Sequence, residues 1–316
     1  MARLTVSFCI PTHNRTHLLL EALESGLAQT RLPDEIVVSD DMGSEETRAL
    51  VSRFAQRASF PVRYVHCTTG RSQTHNLNSC LLEAACDLTL VLHDDDLLMP
   101  KAIEVLARLF EENSDVVGAY GKQWFITDGG EDVPSDTEMV NRGYRRTAEY
   151  VGLQRDAVLS GIWQQFPNDG YMVRSAVARN VLYRAEYKEA TDFDFGIRMG
   201  KKGKFYFIDE FTSKYRHSLD SIVRGAGEKS DDCGYYGMLV LSHALKTYPH
   251  LRREITATLE DLSPMGIWTA ARTGRVKEAA AWYFGPFHRN RILTPGGIRR
   301  GLFLARSWLR SNIARS

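Results

Sequence analysis

The sequence predicts an α/β fold, a mostly parallel sheet flanked by helices, followed by a helical C-terminal extension. Two observations predict it: short β-branched runs alternate with helical stripes through the first half, and from about Lys229 the pattern is entirely helical. Leu4 to Ile10 reads as a first strand, and Arg15 to Gln29 as a helix with Leu18, Leu19, Ala22, Leu23 and Leu27 along one stripe. Glu35 to Ser39 is a second strand. The turn residues Asp40, Asp41, Gly43 and Ser44 follow, then a helix from Glu45 to Arg57 whose first glutamates suit the positive helix end. Val62 to His66, Ser72 to Ala85 and Leu88 to Leu92 complete a β-α-β-α-β-α-β order.

Pro100 opens a helix over Lys101 to Glu112, and Val116 to Tyr120 is a further strand. Thr127 to Arg146, rich in Gly, Asp, Pro and Ser, reads as a long surface loop, either a substrate cover or a variable insertion. Thr191 to Lys201 is helical and Phe205 to Ile208 extended. Met265 to Tyr283 reads as two short helices parted by Gly274. The expected division is a catalytic domain over 1–226 and a helical region over 227–316.

The chain has 316 residues, is 43% hydrophobic and 25% charged, and carries a formal net charge of +1. Near-neutrality removes the long-range attraction to nucleic acid. Five scattered cysteines without a C-x-x-C pair suggest neither a disulfide framework nor a thiolate zinc site and suit a reducing cytoplasm. No window reaches the roughly 20 apolar residues of a membrane span, and the apolar run Val6 to Ile10 is cut short by Pro11, so neither leader nor span is expected. Arg289 to Ser316 holds seven arginines and no acid among Leu302, Phe303, Leu304, Trp308, Leu309 and Ile313. Such a helix suits an anionic membrane face, its own domain or a second subunit.

Open parallel sheets bind ligands beyond the carboxyl ends of their strands. Those ends carry Pro11-Thr12-His13-Asn14-Arg15, Asp40-Asp41, Thr69-Gly70-Arg71 and His93-Asp94-Asp95-Asp96. Three consecutive carboxylates after an apolar strand repel one another unless a hard divalent ion such as Mg²⁺ or Mn²⁺ joins them. The competing reading is an acidic turn in which Asp96 caps the next helix. His13 and His17 lack a third ligand and read as pocket-lining or solvated.

These residues resemble glycosyltransferase family 2. The matching motifs are P-x-x-N-R at Pro11 to Arg15, D-D-x-x-S at Asp40 to Ser44, the stretch Gly70 to Asn76, and the D-x-D region running from His93 to Pro100. Asp192 to Arg198 matches D-[YF]-D-x-x-x-R and Arg216-His217 a later R-H, so the resemblance spans about residues 3 to 220. It implies a GT-A (Rossmann-like) fold and inverting transfer from a nucleotide sugar. Pro11, Thr12, Asn14, Arg15, Asp40, Asp41, Arg71, Asn76 and Asp94 would line the nucleotide site, and Asp95, Asp94 and His217 would hold the metal. Asp192 would be the general base, with Asp194 as its competitor. Departures are His93 for the first Asp of the acidic motif, His75 for an Arg and Thr191 for a Glu.

Trp163, Asn168 and Asp169 are expected on the sugar side, with core packing as the alternative for Trp163 and Phe166. Asp40 pairing with an imide favours a UDP or dTDP donor. The acceptor class expected is carbohydrate, lipid-linked or natural-product. A dinucleotide enzyme and a P-loop NTPase are excluded by their missing glycine motifs. The competing functions are a nucleotidyltransferase on a related fold and a non-catalytic scaffold.

Overall fold

A computed structural model of the chain describes residues 3–217 and 232–313. These fall into two units, one of residues 3–185 with 195–217 and another of 186–194 with 232–313. The expected boundary at 226/227 lies outside the described residues.

The first unit opens with β1 (Val6–Thr12), α1 (Thr16–Leu27), β2 (Glu35–Asp40), α2 (Glu45–Ala55), β3 (Val62–His66), α3 (Gln73–Glu83) and β4 (Leu88–Val91), the order predicted. It continues through β5 (Leu97–Leu98), α4 (Ala102–Glu112), β6 (Val116–Thr127), α5 (Pro134–Gly143), β7 (Gly152–Leu153), α6 (Ala157–Ile162), β8 (Tyr171–Arg174), α7 (Ser175–Val181), α8 (Thr191–Gly200) and β9 (Lys204–His217), with the head of α8 in the second unit. One mixed sheet results, ordered β3-β2-β1-β4-β8-β6-β9-β5, with β7 against β9. β1 to β4 pair in parallel, and β8 runs antiparallel to both β4 and β6.

Alternation along β1 and β2 sends side chains to both faces, and both faces are covered. Phe8, Ile10, Ile36 and Val38 pack with Leu19 and Leu23 of α1 and Leu106 of α4. Cys9 and Val37 pack on the other side with Leu77, Cys80 and Leu81 of α3. Because Val6 to Thr12 are all buried, the strand delivers its last residues into a closed layer.

The stretch Thr127 to Arg146 is not the expected long loop, since α5 occupies its middle. Pro134 sits in the first turn, where its fixed φ suits a helix start. The helix docks through polar groups four residues apart. Thr137 Oγ1 accepts from Phe125 N at 2.9 Å, and Asn141 Nδ2 donates to Gln123 O at 2.8 Å. Hydrophobic periodicity carries no trace of such a face.

The second unit contains α9 (Cys233–Thr247), α10 (Arg252–Arg272), α11 (Val276–Tyr283) and α12 (Pro295–Ile313). The helix before Gly274 is longer than expected, 21 residues running through Pro264. Proline cannot donate to the Glu260 carbonyl one turn back. Ser263 Oγ takes that place, donating to Glu260 O at 3.0 Å. Ser263 also meets His288 Nδ1 at 2.9 Å, while Arg300 Nε donates to His288 Nε2 at 3.4 Å. Burial first, then Arg300 and Arg291, lower the His288 pKa to about 4.

The neutral imidazole is therefore part of the folded state, and the sign follows. A histidine depressed from 6.5 contributes stability above about pH 6.5 that is lost as pH falls toward about 4, up to roughly 3 kcal/mol. Melting curves between pH 7 and pH 4 are expected to show this loss, and His288→Asn to flatten that part of the profile. An unchanged slope in the variant would show that His288 titrates as in an unfolded chain.

Candidate functional site

The parallel strands end side by side, so the residues just after them share one edge. Thr12, the last residue of β1, donates from Oγ1 to Asp94 Oδ2 at 2.7 Å, and His13 N donates to the same oxygen at 3.2 Å. Asn76 Nδ2 ties α3 to this point by donating to Thr12 O at 2.8 Å. Asn14 turns the chain at a φ of 54°, a left-handed conformation that asparagine tolerates better than most residues. Arg15 then reaches back, with Nη1 2.7 Å from Asp95 Oδ2 and 3.5 Å from Asp94 Oδ1.

At the end of β2 the two acids divide. Asp40 is fully buried and accepts from Met42 N, Ser44 N and Tyr64 Oη at 2.9, 2.8 and 2.9 Å. Its carboxylate folds the turn at the end of β2. Burial and then that bond to Asp40 push the Tyr64 pKa up to about 12. Asp41, 2% exposed, meets His13 Nδ1 at 2.6 Å. Pro11 is buried within β1, and Arg71 is exposed beside Ser72, which caps α3.

The acidic run after β4 is buried too. Burial, then the neighbouring Asp95, raises the Asp94 pKa. Asp96 is 1% exposed and accepts from Arg216 N at 2.6 Å. Its pKa is raised well above the usual range by burial and then by Asp169. Asp169 is fully buried, held by Gln123 Nε2 at 2.6 Å, with His93 Nδ1 4.0 Å away. Gly170, at a φ of 67°, turns the chain from Asp169 into β8 so close to Ser213 that a Cβ would lie 2.4 Å from Ser213 Oγ.

Asp96 Oδ2 and Asp169 Oδ2 are both buried, and no donor among the described residues reaches either. Two such oxygens call for a shared proton or a cation. His93, Asp95 and Asp96 bring ligand atoms within 4.8 Å of one another. Nitrogen and carboxylate donors at that spacing fit a divalent cation. Among the described residues this group contains Asp95 of the expected ligands and adds His93 and Asp96. Asp94 is engaged by Thr12, His13 and Arg15, and the His217 ring packs edge-on to Phe125, with Nε2 3.9 Å from Asp136.

Arg216 was read only as part of a motif, yet it organises the site. It is 3% exposed and donates through Nε to Asp95 O at 2.8 Å, through Nη1 to Asp128 O at 2.8 Å and through Nη2 to Glu21 Oε2 at 2.5 Å. Buried Arg146, its pKa lowered to about 10 by burial, donates to Gln123 Oε1 at 2.5 Å and so braces the amide that holds Asp169. Neither Gln123 nor Arg146 has a sequence signal that marks this role.

Of the sugar-side expectations, Asp169 lies in the acidic cluster itself and Asn168 is half-buried beside it in the chain. Trp163 is half-buried under Arg145, whose guanidinium sits 4.3 Å from its ring. Phe166 is core, stacked on Phe205 at 4.7 Å. Asp192 is half-buried in the first turn of α8, and Asp194 is 3% exposed; both belong to the second unit.

A family model described as "Glycosyl transferase family 2" matches residues 7–206, more than half of the chain. A GalNAc(5)-diNAcBac-PP-undecaprenol beta-1,3-glucosyltransferase of Campylobacter jejuni is 23% identical over 244 residues, 76% of this chain and 74% of its own length. Solved structures of similar fold include Staphylococcus aureus TarS 1-349 in complex with UDP-GlcNAc, with a TM-score of 0.61, 16% identity and coverage of 97% of this chain and 92% of that one. Another is the mannosyltransferase PcManGT of Pyrobaculum calidifontis with GDP-Man and Mn²⁺, with a TM-score of 0.56, 14% identity and coverage of 100% and 89%.

Arg216→Met should remove three side-chain bonds and leave the Asp95 carbonyl unpaired. The expected loss is about 2–4 kcal/mol in denaturant unfolding. A loss below about 0.5 kcal/mol, the range of ordinary surface changes, would remove Arg216 from this organising role.

Proposed function

The chain belongs to glycosyl transferase family 2, and from that premise we propose that it moves a sugar from a UDP- or dTDP-linked donor onto an acceptor hydroxyl with inversion. The observation that carries this reading is the joining of the strand ends of β1, β2 and β4 through Thr12, His13, Arg15, Asp41, Asp94 and Asp95. That edge is where open parallel sheets take nucleotide ligands. The complexes of TarS with UDP-GlcNAc and of PcManGT with GDP-Man support a nucleotide-sugar donor.

His93, Asp95 and Asp96 would hold Mg²⁺ or Mn²⁺, which supplies charge neutralisation for a diphosphate leaving group. Arg15 adds a fixed cation beside the same carboxylates. Arg216 and Gln123 hold the buried acids in register through Asp95 O, Asp96 and Asp169. Asp192 takes the proton of the acceptor hydroxyl as that oxygen bonds to the anomeric carbon and the bond to the diphosphate oxygen breaks. Attack from the face opposite the leaving group inverts the centre. A lipid-linked acceptor, as named for the Campylobacter relative, fits a role in polysaccharide or glycoconjugate synthesis at the cytoplasmic side.

A thermal-shift panel of nucleoside diphosphates with and without Mn²⁺ tests the donor half. Wild type should be stabilised by UDP or dTDP plus metal, and Asp95→Asn should lose the metal-dependent part. Asp192→Asn should keep that shift yet turn over about 10²-fold more slowly. Full activity in Asp192→Asn would remove it as the base, and release of pyrophosphate in place of nucleoside diphosphate would identify a nucleotidyltransferase.

A further inference from the structure

The last helix is rotated so that its apolar row faces outward. Its inner side is fixed by contacts within the second unit. Tyr283 Oη donates to Gly297 O at 3.1 Å, Leu304 is 7% exposed, and Phe303 stacks on Trp268 at 6.2 Å. A Cβ on Gly297 would lie 1.9 Å from Arg291 O, and one on Gly301 would lie 2.6 Å from Tyr283 Oη. Neither glycine can be rotated away from that side and replaced by a larger neighbour.

With the inner face assigned, Ile298, Leu302, Ala305 and Leu309 form the outer row at intervals of four, three and four, a single helical stripe. Ile298, Leu302 and Leu309 are 51, 60 and 54% exposed, and Leu293 just before the helix is 89% exposed. Exposed Arg299, Arg306 and Arg310 follow one position behind that stripe. Residues 289–316 contain no acid, and Arg291, which lies before the helix, is paired with Asp261 at 2.9 Å.

We propose that α12 docks the protein on an anionic lipid bilayer, with the outer leucine and isoleucine row in the acyl boundary and the arginines at the headgroup phosphates. An outward apolar stripe edged by cations is the chemistry that an interfacial helix needs. A second copy is the poorer occupant. Its helix would bring the same arginines against these, with no carboxylate on either helix to match them. No helix among the described residues is long and apolar enough to cross a membrane, so the contact is on the surface of the bilayer. The inference goes beyond the glycosyl-transfer reading and does not need it.

The test is flotation of the full chain with vesicles of phosphatidylcholine alone or mixed with phosphatidylglycerol. The wild type should float with the mixed vesicles and stay behind with the neutral ones. Arg299→Gln/Arg306→Gln/Arg310→Gln should partition about 100-fold less, at about one decade or somewhat less per arginine. Leu302→Ser/Leu309→Ser should also bind less, which adsorption by charge alone would not show. Melting temperatures matching wild type confirm that each variant is folded. No flotation, equal flotation with both vesicles, or binding untouched by the serines would overturn the proposal. So would a sedimenting dimer that the serine variant dissolves in the absence of vesicle binding.

Discussion

Four carboxyl groups, those of Asp94, Asp95, Asp96 and Asp169, are packed at one edge of the sheet with at most 9% exposure each. Their mutual repulsion is the constraint to which the surrounding structure answers. Arg15 is set against Asp95 from the end of β1, the Arg216 backbone and side chain hold Asp96 and the Asp95 carbonyl from β9, and Gln123 holds Asp169 from β6. Strands distant in sequence are thereby required to end at one place. Even so, Asp96 Oδ2 and Asp169 Oδ2 lack hydrogen-bond partners among the described residues, which leaves them to be satisfied by a shared proton or a cation.

Much of this was legible from the chain alone. The β-α alternation through Leu92 and the helical tail follow from local periodicity; Thr12, Arg15, Asp94 and Asp95 were reachable because residues after parallel strands converge, and Asn76 through the family resemblance. The inner wall was less accessible. Asp169 precedes a short antiparallel strand that no pattern announced, and Gln123 and Arg146 act through buried amide and guanidinium bonds that resemble ordinary polar positions in sequence. His93 stood out only as a departure from a motif. Its value as a nitrogen donor emerges from its distance to Asp95 and Asp96.

The second unit solves a different problem. Pro264 inside a long helix removes one backbone bond, and Ser263 replaces it with a side-chain bond while also meeting the His288 ring. His288 in turn faces Arg300 of the last helix, so a defect in one helix is tied to the placement of another. Fold-level likeness to known transferases, at 14–16% identity in the solved structures, accounts for the sheet but not for these local devices.

The helix α5 rests on β6 through the hydroxyl of Thr137 and the amide of Asn141. Such a seam is wettable: parting it exposes groups that water satisfies at once, without baring a greasy surface. The same seam grips both backbone groups of Gln123, so a helix at the rim bears at second hand on the carboxyl of Asp169. The earlier part of the strand, Val116 to Tyr120, is held instead by oily packing.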